Sequence, residues 1–100
     1  MSIDAIETKL KARLAEFGTM RAKFKFSFSE GGCLHVDATK TPPVMTRADE
    51  AADCVILIST DNMLKLMDGA LNPTLAFTMG KLKIKGSMGL AMKLSALLED

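Results

Sequence analysis

Tryptophan and tyrosine are absent from this 100-residue sequence, and histidine occurs once. A lone histidine and two well-separated cysteines, Cys33 and Cys54, with no C-x-x-C pair, do not supply the residue types of a metal site. No P-loop and no G-x-G-x-x-G run is present, so the usual backbone cradles for nucleotide phosphates are missing. Apolar runs are short: the continuous stretch Cys54 to Ile58 is far below the length that spans a bilayer. Charge of one sign is also lacking. A net charge of +1 argues against a nucleic-acid partner, which needs a clustered basic face.

Catalytic groups are equally scarce. His35 has Asp37 two residues on, a spacing that can orient an imidazole, but no nucleophile is placed beside it and a surface histidine is expected. The reading is non-enzymatic, with no catalytic residue, cofactor or metal assigned. Gly86-Ser87-Met88-Gly89 has the outline of an RNA-clamping GxxG loop, yet it follows a strand and carries no Lys or Arg, so it reads as a strand-to-helix junction.

The chain is rich in aliphatic residues instead. Hydrophobic residues make up 48% of it, with eight Met and five Phe. Met adapts to irregular surroundings, which suits a greasy cavity and a small packed core equally well. One hundred residues make a single domain, residues 1–100.

Along the chain, Ser2 is placed to cap a first helix in which Ile3, Ile6, Leu10, Leu14 and Phe17 recur every three or four residues, stopped by Gly18. Glu7 and Lys11 form a favourable pair one turn apart. With Lys9, Lys11 and Arg13 on its solvent side, this helix either packs on a core with a solvated outer face, the stronger reading, or makes transient contact with an anionic membrane surface. Lys23 to Ser29 alternates without a fault, placing Phe24, Phe26 and Phe28 on one strand face and the lysines on the other, so rings and charges cannot grip one nucleic-acid strand together. Glu30-Gly31-Gly32 is a turn, and the chain returns with Leu34, Val36 and Ala38 on one side. A short edge strand comes after Thr41-Pro42-Pro43. Cys54 to Ile58, continuously apolar and β-branched, is the expected central strand, covered on both faces. Thr60 is expected to cap a helix over 61–68 in which Met63, Leu64 and Met67 face inward.

The last thirty residues are the most telling. Asn72 and Pro73 start a helix over 73–79. Gly80 ends it. Lys81-Leu82-Lys83-Ile84-Lys85 then alternates, with Leu82 and Ile84 on one face and three lysines on the other. Gly86 breaks that strand, Ser87 caps a closing helix, and Leu90, Ala91, Leu94, Leu97 and Leu98 form the apolar stripe along it.

This order of elements resembles the sterol-carrier-protein-2 (SCP2) family. The residues that carry the resemblance are Asn72-Pro73, the run from Phe77 to Gly86, and Ser87 to Leu94, the opening of the last helix. The resemblance implies an α+β fold: a five-stranded, largely antiparallel sheet near 22–29, 33–40, 43–48, 53–59 and 81–85, the first three strands a meander, with about four helices gathered mostly on one face. It further implies a hydrophobic cavity between sheet and helices, closed by the C-terminal helix, that holds a lipid, fatty acyl or sterol-like small molecule. A gap lined by methyl and methylene groups stays dry, and each CH₂ buried in it contributes about 0.8 kcal/mol.

The expected lining is Phe26, Ile56, Ile58, Leu64, Met67, Phe77, Met79, Met88, Leu90, Met92 and Leu94. Lys81, Lys83 and Lys85 either draw a carboxylate or acyl-CoA phosphate to the mouth or, the reading favoured, keep an edge strand from pairing with other chains. The alternative function is an accessory domain whose apolar groove docks a partner peptide or enzyme. A monomer is expected. The opening Met-Ser-Ile-Asp-Ala has no secretory pattern and the chain ends Leu-Glu-Asp, not Ser-Lys-Leu, so a cytoplasmic, reducing compartment with free thiols is expected.

Overall fold

The computed structural model describes residues 2–98, with side chains from 3 to 97; Ser2 as a cap and Leu98 as an apolar position lie outside the described side chains. In order, the elements are α1 (Ser2–Ala12), a 3₁₀ helix (Leu14–Thr19), β1 (Lys23–Phe28), β2 (Cys33–Asp37), β3 (Val44–Thr46), β4 (Cys54–Ile58), α2 (Thr60–Met67), α3 (Pro73–Thr78), β5 (Leu82–Gly86) and α4 (Met88–Leu98). The expected single N-terminal helix is two segments. It breaks at Arg13, and the tighter winding beyond it carries Phe17 into an edge-on contact with Phe24, ring centroids 5.9 Å apart at 75°.

The strand order is β3-β2-β1-β4-β5. β1, β2 and β3 form the expected antiparallel meander, β4 runs parallel to β1, and β5 returns antiparallel to β4. The centre of the sheet is therefore β1, and not β4 as the apolar run suggested. β4 is interior, but on its outer face Val55 and Leu57 are only half-buried. Its continuous hydrophobicity reflects one fully buried face and one partly covered one.

Registry turns sequence alternation into core layers. Phe26 sits opposite both Leu34 and Ile56, and Ile56 opposite Ile84; Phe28 faces Ile58, which faces Leu82. These side chains share the face on which the helices lie. At the far end Gly86 pairs with Cys54, and its φ of +97° with a would-be Cβ only 2.3 Å from the Asp53 carbonyl oxygen leaves no residue but glycine there.

The opposite face is covered in part by the segment after β3. His35, expected at the surface, is 3% exposed there, its Nε2 at 3.0 Å from the Ala51 carbonyl oxygen. Cys33 lies beside it with Sγ at 3.6 Å from the Arg47 and Ala48 carbonyls, and the Lys25 ammonium pairs with Asp49 at 2.7 Å. Sequence alternation places His35 away from the phenylalanines correctly; what it does not contain is the loop that folds over that side.

Candidate functional site

The caps that set the helices are local and legible. Asn72 Oδ1 accepts from the N–H groups of Thr74 and Leu75 at 2.9 and 3.2 Å, fixing the start of α3. Ser87 Oγ accepts the Leu90 N–H at 3.3 Å at the start of α4. For α2 the cap is Ser59, not Thr60: Ser59 Oγ accepts the Asn62 N–H, while Thr60 gives its N–H and hydroxyl to the Glu30 carboxylate at 3.1 and 3.0 Å. Those bonds, the Thr60 N–H first, hold the Glu30 carboxyl below the usual carboxylate range.

Between β4, β5 and the helices lies a small seam of about 20 Å³, lined by Ile56, Met63, Leu66, Pro73, Leu82, Ile84, Ala91, Leu94 and Ser95. It is apolar apart from Ser95. Its volume, however, is an order of magnitude below the roughly 150 Å³ that an apolar cavity needs to take in benzene. In this arrangement no fatty chain fits. The last helix does not stand off the sheet: Ala91 and Leu94 are buried, and Leu90 and Leu97 are half-buried against the core.

Of the expected lining residues, Ile56 and Leu94 border the seam. Phe26, Ile58 and Met67 are buried core beside it, and Leu64 and Leu90 pack against that core from partly buried positions. Phe77, Met79, Met88 and Met92 lie elsewhere: they are 45%, 56%, 48% and 73% exposed. Helical phase explains this. Ala76 is the buried position of α3 between Leu75 and Phe77, and Ala91 and Leu94 point α4 inward while Met88 and Met92, one turn apart, point out. Seven seam residues lie outside the expected set: Met63, Leu66, Leu82, Ile84 and Ala91 are apolar positions visible in the sequence, and Pro73 and Ser95 complete the lining. Leu66 comes three residues after Met63, the helical spacing that marks a shared face.

Two wider depressions open on the surface. One, about 390 Å³, is lined by Ser27, Ser29, Leu57, Ser59, Asn62, Lys81 and Lys83 among others; the second, about 580 Å³, lies between the 3₁₀ helix and the end of α4. Both are broader than the seam and more polar. Among the described residues no group of three or more His, Cys, Asp or Glu is placed to hold a metal ion, and no helix is long and apolar enough to cross a membrane.

A mixed sheet ordered 3-2-1-4-5, with helices over one face and an oily seam under the last of them, defines a small α+β domain of the sterol-carrier type. Residues 3–99 match the model of the SCP-2 sterol transfer family, and the chain belongs to that family. It is 54% identical over 54 residues to sterol carrier protein 2 of Oryctolagus cuniculus, a match covering 54% of the chain but 10% of that relative's length. Among solved structures it resembles the sterol carrier protein domain 2 of Helicoverpa armigera, with a TM-score of 0.74 and 30% identity over 95% of this chain and 80% of that one. A sterol carrier protein-2 of Aedes aegypti, in complex with palmitate, shares the fold with a TM-score of 0.71 at 20% identity, covering 90% and 91% of the two chains.

Proposed function

We propose that this domain binds and carries one hydrophobic ligand, a fatty acid, fatty acyl-CoA or sterol, without catalysing a reaction, by lifting α4 from the sheet so that the seam widens into a chamber. The observation that carries this reading is the seam itself. It is a mostly apolar gap bounded by β4, β5 and three helices, and the helix above it is held by buried Ala91 and Leu94, by half-buried Leu90 and Leu97, and by the bond from Arg13 to the Leu97 carbonyl. The palmitate held by the Aedes aegypti neighbour supports it. In the loaded state Ile56, Met63, Leu66, Leu82, Ile84 and Leu94 form the wall, with Phe26, Ile58, Leu64, Met67 and Leu90 behind or beside them. Phe77, Met79, Met88 and Met92 belong to the mouth. Each methylene that replaces the α4 contacts adds about 0.8 kcal/mol, so a chain of ten or more offsets the displacement of Ala91 and Leu94 with the half-buried Leu90 and Leu97.

A second reading is favoured by the tightness of the seam: an accessory domain that docks a peptide or enzyme through its exposed apolar side chains. Native mass spectrometry against a panel of fatty acid, acyl-CoA and sterol separates the two. The carrier forms a one-to-one adduct and, at ligand a hundredfold above Kd, gains about 2.7 kcal/mol, or roughly 10 °C in melting temperature. No adduct with any of the three and an unchanged melting temperature overturn the carrier reading and leave the docking one.

A further inference from the structure

The depression that holds Lys81 and Lys83 belongs to the face of the sheet turned away from the helices. Its floor is a row across three strands: Ser27 of β1 stands opposite Leu57 of β4, and Leu57 opposite Lys83 of β5. One step further on the same face come Ser59 and Lys81, and Asn62 on the first turn of α2 closes the end. Topology opens this space. β1 and β4 lie side by side, run parallel and end together; one chain then turns back in the plane of the sheet as β2, and the other leaves as α2 over the helical face. The outer side of their carboxyl ends is left open, the place where diverging parallel strands form a crevice. Its volume, about 390 Å³, is that of a small-molecule site.

We propose that this depression binds a small soluble phosphate ester, with Lys81 and Lys83 on the phosphate oxygens and Ser27, Ser59 and Asn62 as neutral donors. Charge selects the ligand. Two ammonium groups and, among the described residues, no Asp or Glu line the site, so a phosphate dianion is matched and a carboxylate is over-matched. The polar groups are available to it: among the described residues no hydrogen bond or ion pair engages the Ser27 hydroxyl, the Asn62 carboxamide or either ammonium. Ser59 Oγ accepts the Asn62 N–H at 3.1 Å and keeps its own proton to donate. The start of α2 is not the source of attraction, because Glu30 already takes the Thr60 N–H and hydroxyl. The space far exceeds a phosphate ion, and half-buried Leu57 gives it an apolar floor, so the rest of the ligand is an organic group. Edge protection explains Lys83 and Lys85 alike, yet asks nothing of Ser27, Ser59 and Asn62. On β5 it is Leu82 and Ile84 that border the seam, so this site lies on the other side of the strand and stands whether or not the seam loads a lipid.

The test follows the backbone amide signals of the full chain by NMR during titration with inorganic phosphate, with ribose 5-phosphate and, at matched ionic strength, with acetate. Saturable shifts are expected at Ser27, Leu57, Ser59, Asn62 and Lys83 with both phosphates and not with acetate. Ribose 5-phosphate binds more tightly, by roughly fivefold for each of its hydroxyls that finds a partner. Binding weakens as the pH falls below about 6, where the phosphate loses its second charge. Lys81→Gln with Lys83→Gln lowers the affinity roughly tenfold, while Lys40→Gln with Lys93→Gln, outside the depression, leaves it unchanged. All four lysines are exposed, and circular dichroism checks that each variant folds. The absence of saturable shifts with either phosphate, equal shifts with acetate, or an equal loss through Lys40 and Lys93 overturns the proposal. So does a response seen only with phosphatidylglycerol vesicles, which would assign the two lysines to a lipid headgroup instead of a soluble ester.

Discussion

The two flanks of the sheet's helical face are built differently. Toward β1 and β2, Ile6, Leu10, Phe17, Phe24, Leu34 and Val36 are all fully buried, and the charges around them are matched: Arg47 reaches back to both Asp4 and Glu7 on α1, the latter at 2.8 Å. Toward β5 there is a seam of about 20 Å³, a last helix with Ala91 and Leu94 buried and Leu90 and Leu97 half-buried, and a row of large apolar side chains in the open. One flank is closed throughout; the other belongs to the same core but keeps a small seam and turns large apolar side chains to the outside. Tight packing fixes a single arrangement, whereas an underfilled, lightly anchored helix has neighbouring arrangements within reach, and a binding domain needs those.

Leucine truncation measures that contrast most directly. Leu10→Ala and Leu94→Ala remove the same atoms from sites that are both buried. On the closed flank the surroundings cannot collapse, so Leu10→Ala is expected to cost about 3 to 5 kcal/mol, with Phe24→Ala at the same level. Leu94 borders an existing gap beneath a helix that can settle, and about 2 kcal/mol is expected there. Urea denaturation of the three variants decides it. Equal losses at Leu10 and Leu94 would mean that α4 is as firmly seated as α1, and the contrast between the flanks would be broken.

The link between β5 and α4 should respond to a single methyl group. At Gly86 an added Cβ meets the Asp53 carbonyl oxygen at 2.3 Å in a left-handed backbone, so Gly86→Ala must either push β5 off β4 or unfold the corner, at about 2 to 3 kcal/mol. Gly69 has a similar φ, +79°, with nothing within 4 Å of the added carbon. Gly69→Ala therefore isolates the backbone cost, about 1 kcal/mol. The difference between the two melting curves reports how closely the strand that floors the seam is held to its neighbour.

Much of the architecture is readable from the chain alone. The faultless alternation from Lys23 to Phe28, the glycine turn after it and the Asn72-Pro73 and Ser87 caps are local signals, and the structure obeys them residue by residue. The expectations that failed depended on contacts distant in sequence. His35 reads as a surface residue until the chain from Arg47 to Asp53 folds across it, and β4 reads as central until β1 is seen paired on both sides. For the candidate site the limit is helical phase: Phe77 and Met92 are as oily as Ala91 and Leu94, and hydrophobicity alone does not say that the smaller neighbour takes the inside. Apolar residues placed outside look like core in a sequence, which is why the open flank is the harder one to read.

A weaker, pH-dependent effect ties the flanks together. The Glu30 carboxylate, in the turn between β1 and β2, accepts from the Thr60 N–H and hydroxyl at the start of α2. Since the bonds favour the ionised form, its folded pKa lies below its unfolded value. A depressed carboxylate contributes stability above the unfolded pKa, roughly 4.3, and loses that contribution as the pH falls through the folded value. Glu30→Gln should therefore melt below the parent protein at pH 7 and converge with it under acid conditions. A gap between the two proteins that stays constant down to about pH 3 would show that the carboxylate charge is not what joins the hairpin to α2.

The smallest effect concerns reactivity alone. Both thiols are buried, and burial pushes each one's pKa up, which suppresses the thiolate that reacts with alkylating reagents. They are covered differently: Cys54 is fully enclosed under the helices, while Cys33 lies on the outer face below the Arg47 and Ala48 carbonyls. Slow labelling of the native protein should therefore reach Cys33 first, through local opening of the 47–52 segment, and Cys54 only through a larger opening. If Cys54 is labelled as fast as Cys33, the core behind β4 opens as readily as a surface loop. Because Cys54 pairs with Gly86 at the corner where α4 begins, such a result would place the loose region deeper than the seam and move the opening from the helix to the sheet edge.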